Sequence, residues 1–179
     1  MAKSAAGKAV ALRDHTKLSQ EISKENKPTS DVVEHLQQQV ANAFVLYANY
    51  KHYHWQTFGP LFRDLHLLFD EFALAVLATV DDFAERLRMI GQDPIFRPDE
   101  VERTASVKVS KQVTTMREMV AEADANLLIV IKEMRAGARV ADEHDDPGTV
   151  DLFSRHVQIH EKHEWWLRDI LEKNDGLST

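Results

Sequence analysis

Two histidines and three carboxylates, His54, His66, Asp70, Asp81 and Glu85, have types and spacings suited to binding and oxidising a metal ion. His66 and Asp70 are four residues apart, as are Asp81 and Glu85. On a helix all four fall along one stripe roughly 100° wide. The stripe is otherwise apolar or small, with Leu67, Phe69, Leu74, Leu77 and Ala78 close by. Ionisable groups on a face that should pack are costly unless something pairs them, and a bound cation does so. The chain has no cysteine, which excludes thiolate zinc, an iron-sulfur cluster and a disulfide framework. Any metal must sit on nitrogen and oxygen. Two imidazoles and three carboxylates suit iron held weakly enough to cycle between its ferrous and ferric states.

At helical rise the His66/Asp70 pair and the Asp81/Glu85 pair are centred about 22 Å apart, too far to share a metal within one chain. If the helix packs antiparallel on its own copy across a two-fold axis, the first pair of each chain meets the second pair of the other, and two identical sites form. His54 joins from the preceding helix. It lies six residues before Pro60 and His66 lies six after, so a hairpin turning at Pro60 brings them to a similar height. The expected set is His54, His66 and Asp70 from one chain with Asp81 and Glu85 from its partner.

A second group is His156, His160 and His163 with Glu164. The three histidines share a helical face and could take zinc or further iron. A solvated, salt-bridged stripe beside Glu161 and Lys162 is the reading preferred from sequence. His52 projects away from His54 on its helix and is assigned at most to a subsidiary metal site.

Long helices must position these groups. Asp31 to Trp55 repeats apolar residues at helical spacing, with Ser30 or Asp31 as cap. After Gly59-Pro60, with Pro60 suited to the first helical position, a second amphipathic run reaches Gly91, ahead of Asp93-Pro94. Pro98 to Glu102 can start a short helix within the following connection. Thr115-x-x-Glu118 reads as a capping box for a third long helix, starting between Ser110 and Thr115 and ending near Asp142. Asp145-Asp146-Pro147 opens a fourth, whose pattern Val150, Phe153, Val157, Trp165, Ile170 runs to Gly176. Long helices joined by one short and one long connection predict an all-α, ferritin-like four-helix bundle with a short helix in the crossover between its second and third long helices.

At 179 residues the chain has room for one core. Residues 1–28 hold six Lys/Arg against three Asp/Glu, so a basic tail precedes an acidic body in a chain of net charge −7. An acidic surface draws in small cations and repels nucleic acid, leaving DNA contact to the tail. The expected organisation is a tail over residues 1–30, a bundle over 31–176 and a short C-terminal tail over 177–179. Met1 to Lys27 lacks the apolar run of a secretory signal, which with the absence of cysteine predicts a cytoplasmic protein.

The text His54-Trp55-x-x-x-Gly59-Pro60-x-Phe62-x-x-Leu65-His66-x-x-Phe69-Asp70-x-Phe72, followed by Asp81-x-x-Ala84-Glu85-Arg86, resembles the Dps family of mini-ferritins. The resemblance implies a hollow homo-dodecamer with ferroxidase sites at two-fold interfaces, two irons at each. Ferrous iron would be oxidised there by hydrogen peroxide or dioxygen and stored as ferric mineral. By position it implies the five ligands named above and places Trp55 near the iron pair, where packing is its ordinary alternative. It also implies cation pores at three-fold axes, with Asp146 and Asp151 as candidates, although acids there equally suit a helix N-terminus. Zinc is a candidate competitor for the site. DNA binding through the tail, giving a nucleoid-associated compaction protein with an idle iron site, is the competing function. No histidine has Glu three residues before it, the spacing that marks metal sites held within one ferritin bundle.

Overall fold

The computed structural model describes Lys17, residues 29–111 and residues 115–172. Apart from Lys17, Thr29 and Ser30, the expected N-terminal tail lies outside these residues, as do Gly176 and the short C-terminal tail. Five helices follow in order: α1 (Ser30–Gln56), α2 (Phe62–Met89), α3 (Pro98–Thr104), α4 (Met116–Glu143) and α5 (Pro147–Leu171). Helix α1 packs along α2 and α4 along α5, and the two hairpins close on each other through α1 with α4 and α2 with α5. This is the expected four-helix bundle. Among the described residues no helix is long and apolar enough to cross a membrane.

Local chemistry sets most helix ends. Thr115 and Glu118 form the reciprocal capping box, each side chain accepting from the other's backbone N–H at 3.1 Å. Asp146 caps α5 by accepting from the Thr149 N–H at 3.0 Å, with Pro147 in the first turn. Gly91 closes α2 at φ +80°. Its N–H donates to the Arg88 carbonyl and that of Gln92 to the Leu87 carbonyl, at 3.0 and 2.8 Å, a Schellman pattern that needs the left-handed conformation glycine adopts without strain.

Three boundaries differ from expectation. Thr29, not Ser30 or Asp31, occupies the α1 cap position, and the Ser30 hydroxyl donates to Asp31 instead. Pro60 lies in the turn ahead of α2, whose first residue is Phe62; the Phe62 N–H donates to the Gly59 carbonyl at 3.0 Å. Helix α5 ends at Leu171, short of Gly176, where Glu172 turns extended. Residues 172–176 offer no apolar side chain to continue the seam and include three weak helix formers.

The long crossover is clasped by α1. Asn42 donates to the Ser106 hydroxyl and accepts from the Ser106 N–H. Asn49 donates to the Lys108 carbonyl and accepts from the Ser110 N–H, while Gln37 bridges Asp93 and Ile95. These amides satisfy backbone groups that a loop packed on a bundle would otherwise bury unpaired. The core runs the length of the bundle through Leu36, Leu46, Tyr50, Phe69, Phe72, Phe83, Leu127, Met134 and Phe153. Helices α4 and α5 approach so closely at Gly137 that an added Cβ would lie 2.5 Å from the Phe153 ring.

Candidate metal centre

The α1–α2 corner builds one half of the expected centre. Gly59 turns the chain at φ +79°, and His54 and His66 stack face to face with ring centroids 3.6 Å apart. The His54 Nδ1 lies 2.7 Å from the His66 carbonyl oxygen, and the His66 Nδ1 lies 2.8 Å from that of His54. A carbonyl can only accept, so both Nδ1 atoms carry the proton and both Nε2 atoms keep a lone pair. This crossed pair fixes tautomer and ring orientation together, as a bound metal requires. Phe62 stacks on the far side of His66 at 5.0 Å. Both histidines are half-buried.

Asp70, one turn beyond His66, receives a hydrogen bond from the Lys51 ammonium at 2.6 Å. That bond, with the charge of the same ammonium, holds the Asp70 carboxyl below its ordinary pKa. Lys51 was not among the sequence candidates. The hairpin register that pairs residue 54 with 66 brings 51 only to the level of 69, and the contact with Asp70 depends on how the two helices face each other. Its ammonium occupies a carboxylate oxygen that a metal would use. The same ammonium lies 5.9 Å from the centre of the Trp55 ring, which is 68% exposed.

Asp81 and Glu85 are exposed further along α2. Between the two half-sites Leu67, Leu74 and Leu77 are 51%, 62% and 40% exposed, and Ala78 is exposed beside them. Phe69, by contrast, points into the core. The α2 outer face is therefore an apolar stripe with a half-site at each end. Among the described residues of one chain no three histidine or acidic side chains are gathered closely enough to hold a metal ion.

A ferritin-like domain family matches residues 33–176. DNA protection during starvation protein 1 of Deinococcus radiodurans is 35% identical over 149 residues, 83% of this chain and 72% of that protein. The X-ray structure of Dps from Thermosynechococcus elongatus superposes with a TM-score of 0.80 at 46% identity, over 83% of this chain and 94% of that one. Dps from Vibrio cholerae, described as a member of a broad superfamily of ferritin-like diiron-carboxylate proteins, gives a TM-score of 0.77 at 25% identity, over 84% and 92%. The chain belongs to the Dps family.

Within this Dps fold helix α5 departs from the sequence reading. His156, His160 and His163 do not face solvent; they are 5%, 1% and 4% exposed. The inward seam of α5 is Thr149, Phe153, His156, His160, His163 and Leu167, whereas Trp165 and Ile170, expected to pack inward, are 50% and 39% exposed. Alternating steps of three and four residues along that seam are the periodicity of a buried helix stripe, so spacing alone could have located the histidines inside. Their rings fill the space between α2 and α5: His163 stacks on Phe72 at 3.8 Å and His156 lies 5.0 Å from Phe83. Burial pushes their pKa values down, to about 3 for His160 and about 4 for His163, and lowers that of His156. Glu164 is held away from this stripe by both carboxylate oxygens on Arg168, at 3.0 Å.

The remaining candidates are engaged in structure. Asp146, besides capping α5, accepts from Arg86 of α2 at 2.5 Å and from the Thr149 hydroxyl at 2.7 Å. Asp151 accepts from Arg155 at 2.9 Å. His52 packs 6.1 Å from Tyr53, its Nε2 buried without a hydrogen bond.

Proposed function

We propose that this Dps-family chain is a ferroxidase and iron-storage protein acting at sites shared between two subunits. The observation that carries the reading is the crossed His54–His66 pair, whose Nε2 lone pairs are oriented at one end of an exposed apolar stripe that ends in Asp81 and Glu85. Burying that stripe against the same stripe of a second copy, antiparallel, brings Asp81 and Glu85 of the partner to His54, His66 and Asp70. Ferrous iron is the substrate. The carboxylates supply hard, charge-neutralising oxygen and the imidazoles moderate the affinity, a donor set that tolerates both oxidation states.

Two ferrous ions side by side each give up one electron, and the pair reduces hydrogen peroxide to the level of water without releasing hydroxyl radical. Dioxygen is the alternative oxidant. The ferric product passes into a hollow twelve-chain shell, and oxidative damage to the cell and its DNA is averted as iron is stored. On this reading Trp55 absorbs stray oxidising equivalents, and Asp151 with the engaged Asp146 lines the cation pore. The protein works in the cytoplasm, and zinc competes for the nitrogen and oxygen ligands.

The test is anaerobic loading with ferrous iron, then peroxide or oxygen, followed by ferric absorbance in wild type and in His54→Ala/Asp70→Ala. Equal rates would refute the assignment. Size measurement tests the dodecamer independently. DNA compaction is the second reading, favoured by the basic N-terminal charge and by the relatives named for DNA protection. Unchanged plasmid mobility at low and physiological salt, with full-length and tail-deleted protein, removes it.

A further inference from the structure

The α5 histidines are not used by the inter-subunit centre. His156 and His160 stand one helical turn apart on one face, the spacing at which two helical imidazoles can approach a single ion. All four of their ring nitrogens are buried, and none makes a well-formed hydrogen bond. Asp82 of α2 places a carboxylate oxygen 2.9 Å from His156 Nε2. Burial keeps both imidazoles neutral, the form that ligates metals.

Asp82 has a second aspect. Its side chain is 47% exposed and lines an open groove of about 420 Å³ together with Glu85, Arg86, Leu152 and Arg155. Both arginines are already paired, Arg86 with Asp146 and Arg155 with Asp151. Asp82 and Glu85 therefore set the groove's attraction for cations, and Asp82 reaches from it to the first buried imidazole.

We propose that His156, His160 and Asp82 form a second divalent-metal site inside each subunit, between α2 and α5, selective for borderline transition ions such as Zn2+ or Fe2+. Two nitrogens, one carboxylate oxygen and a water complete a tetrahedral set. Among the described residues the ligands are not gathered before metal arrives. The ion draws them in by rotation of Asp82 and the two rings about their side-chain torsions. The site does not depend on the ferroxidase reading, since none of its ligands belongs to that centre.

The experiment uses the assembled protein carrying His54→Ala/Asp81→Ala, which removes ligands of the inter-subunit centre. Co2+ is titrated as a spectroscopic stand-in for Zn2+ at neutral pH. The expected result is visible absorption of a four-coordinate ion, saturating at about one Co2+ per chain. Adding His160→Leu should abolish it, and adding Asp82→Asn should weaken it roughly tenfold or more. Absence of saturable Co2+ in the His54→Ala/Asp81→Ala protein, or its persistence after His160→Leu, overturns the site. Anomalous diffraction from Co2+-soaked crystals of the His54→Ala/Asp81→Ala protein decides the matter even if the leucine variant does not fold. A peak between α2 and α5 supports the site, and a blank map there refutes it.

Discussion

Acid should destabilise this protein through α5, by an amount that follows from two buried imidazoles. An ordinary histidine titrates near pH 6.5, whereas burial pushes His160 down to about 3 and His163 down to about 4. The folded pKa is depressed, so below pH 6.5 the unfolded chain takes up protons that the folded core refuses. Stability is complete above the unfolded value and falls as pH drops towards the folded one. Each group contributes a slope of about 1.4 kcal/mol per pH unit inside that window, so the pair gives about 2.7 kcal/mol per unit. From about pH 6.5 to 4.5 the loss is about 5 kcal/mol, comparable with the whole stability of many domains. The assay is denaturant unfolding followed by circular dichroism between about pH 7.5 and 4.5, with chelator present and protein concentration fixed. His160→Leu should halve the slope assigned to the pair. At neutral pH it should also be as stable as wild type or better by about 1–3 kcal/mol, because it removes buried nitrogens that have no hydrogen bond. Parallel slopes for wild type, His160→Leu and His163→Leu would refute the reasoning.

Two further outcomes follow from contacts elsewhere. Lys51→Met frees the Asp70 oxygen now held by the ammonium and should raise ferrous affinity at the inter-subunit centre, seen as faster oxidation at limiting iron; an unchanged or slower rate contradicts the role given to Lys51. Asp146→Ala removes the α5 cap and leaves Arg86, whose side chain is 14% exposed, without its carboxylate. The expected cost is about 2–4 kcal/mol, or a fall in Tm of roughly 4–16 °C for a chain of this size. The double variant Arg86→Met/Asp146→Ala should lose less than the two single variants added together, and full additivity would show that the pair is not coupled.

What sequence made legible was chemistry that acts over one helical turn or along one helix. Thr115 with Glu118 and Asp146 with Pro147 open their helices, and Gly91 closes α2, each a local solution to an unpaired helix end at the expected place. The level pairing of His54 with His66 was legible because a hairpin of known turning point fixes register. What escaped depends on how helices face one another. Lys51 meets Asp70 only once α1 and α2 are packed, and Asn42 and Asn49 become clasps only when the crossover lies on α1. The α5 histidines were misjudged because residue type was weighed above spacing. Imidazole reads as polar, yet its positions are those of the seam, and a neutral ring fills that seam as an aromatic does.

The outer face of α2 then carries one further consequence for the proposed activity. Leu67, Leu74 and Leu77 leave apolar surface in water, which favours pairing of copies through that face. On the proposed reading the same pairing completes the metal centre, because neither half-site has enough ligands alone. Lys51 reinforces the link: in the single chain it already neutralises Asp70, and the metal must displace it. Two ions supply charge enough to do so only when Asp81 and Glu85 arrive from the partner to balance them. Ferroxidase activity should therefore track the paired state. A charged residue in place of Leu74, placed between the half-sites and touching no ligand, should abolish pairing and oxidation together while leaving the crossed His54–His66 pair intact.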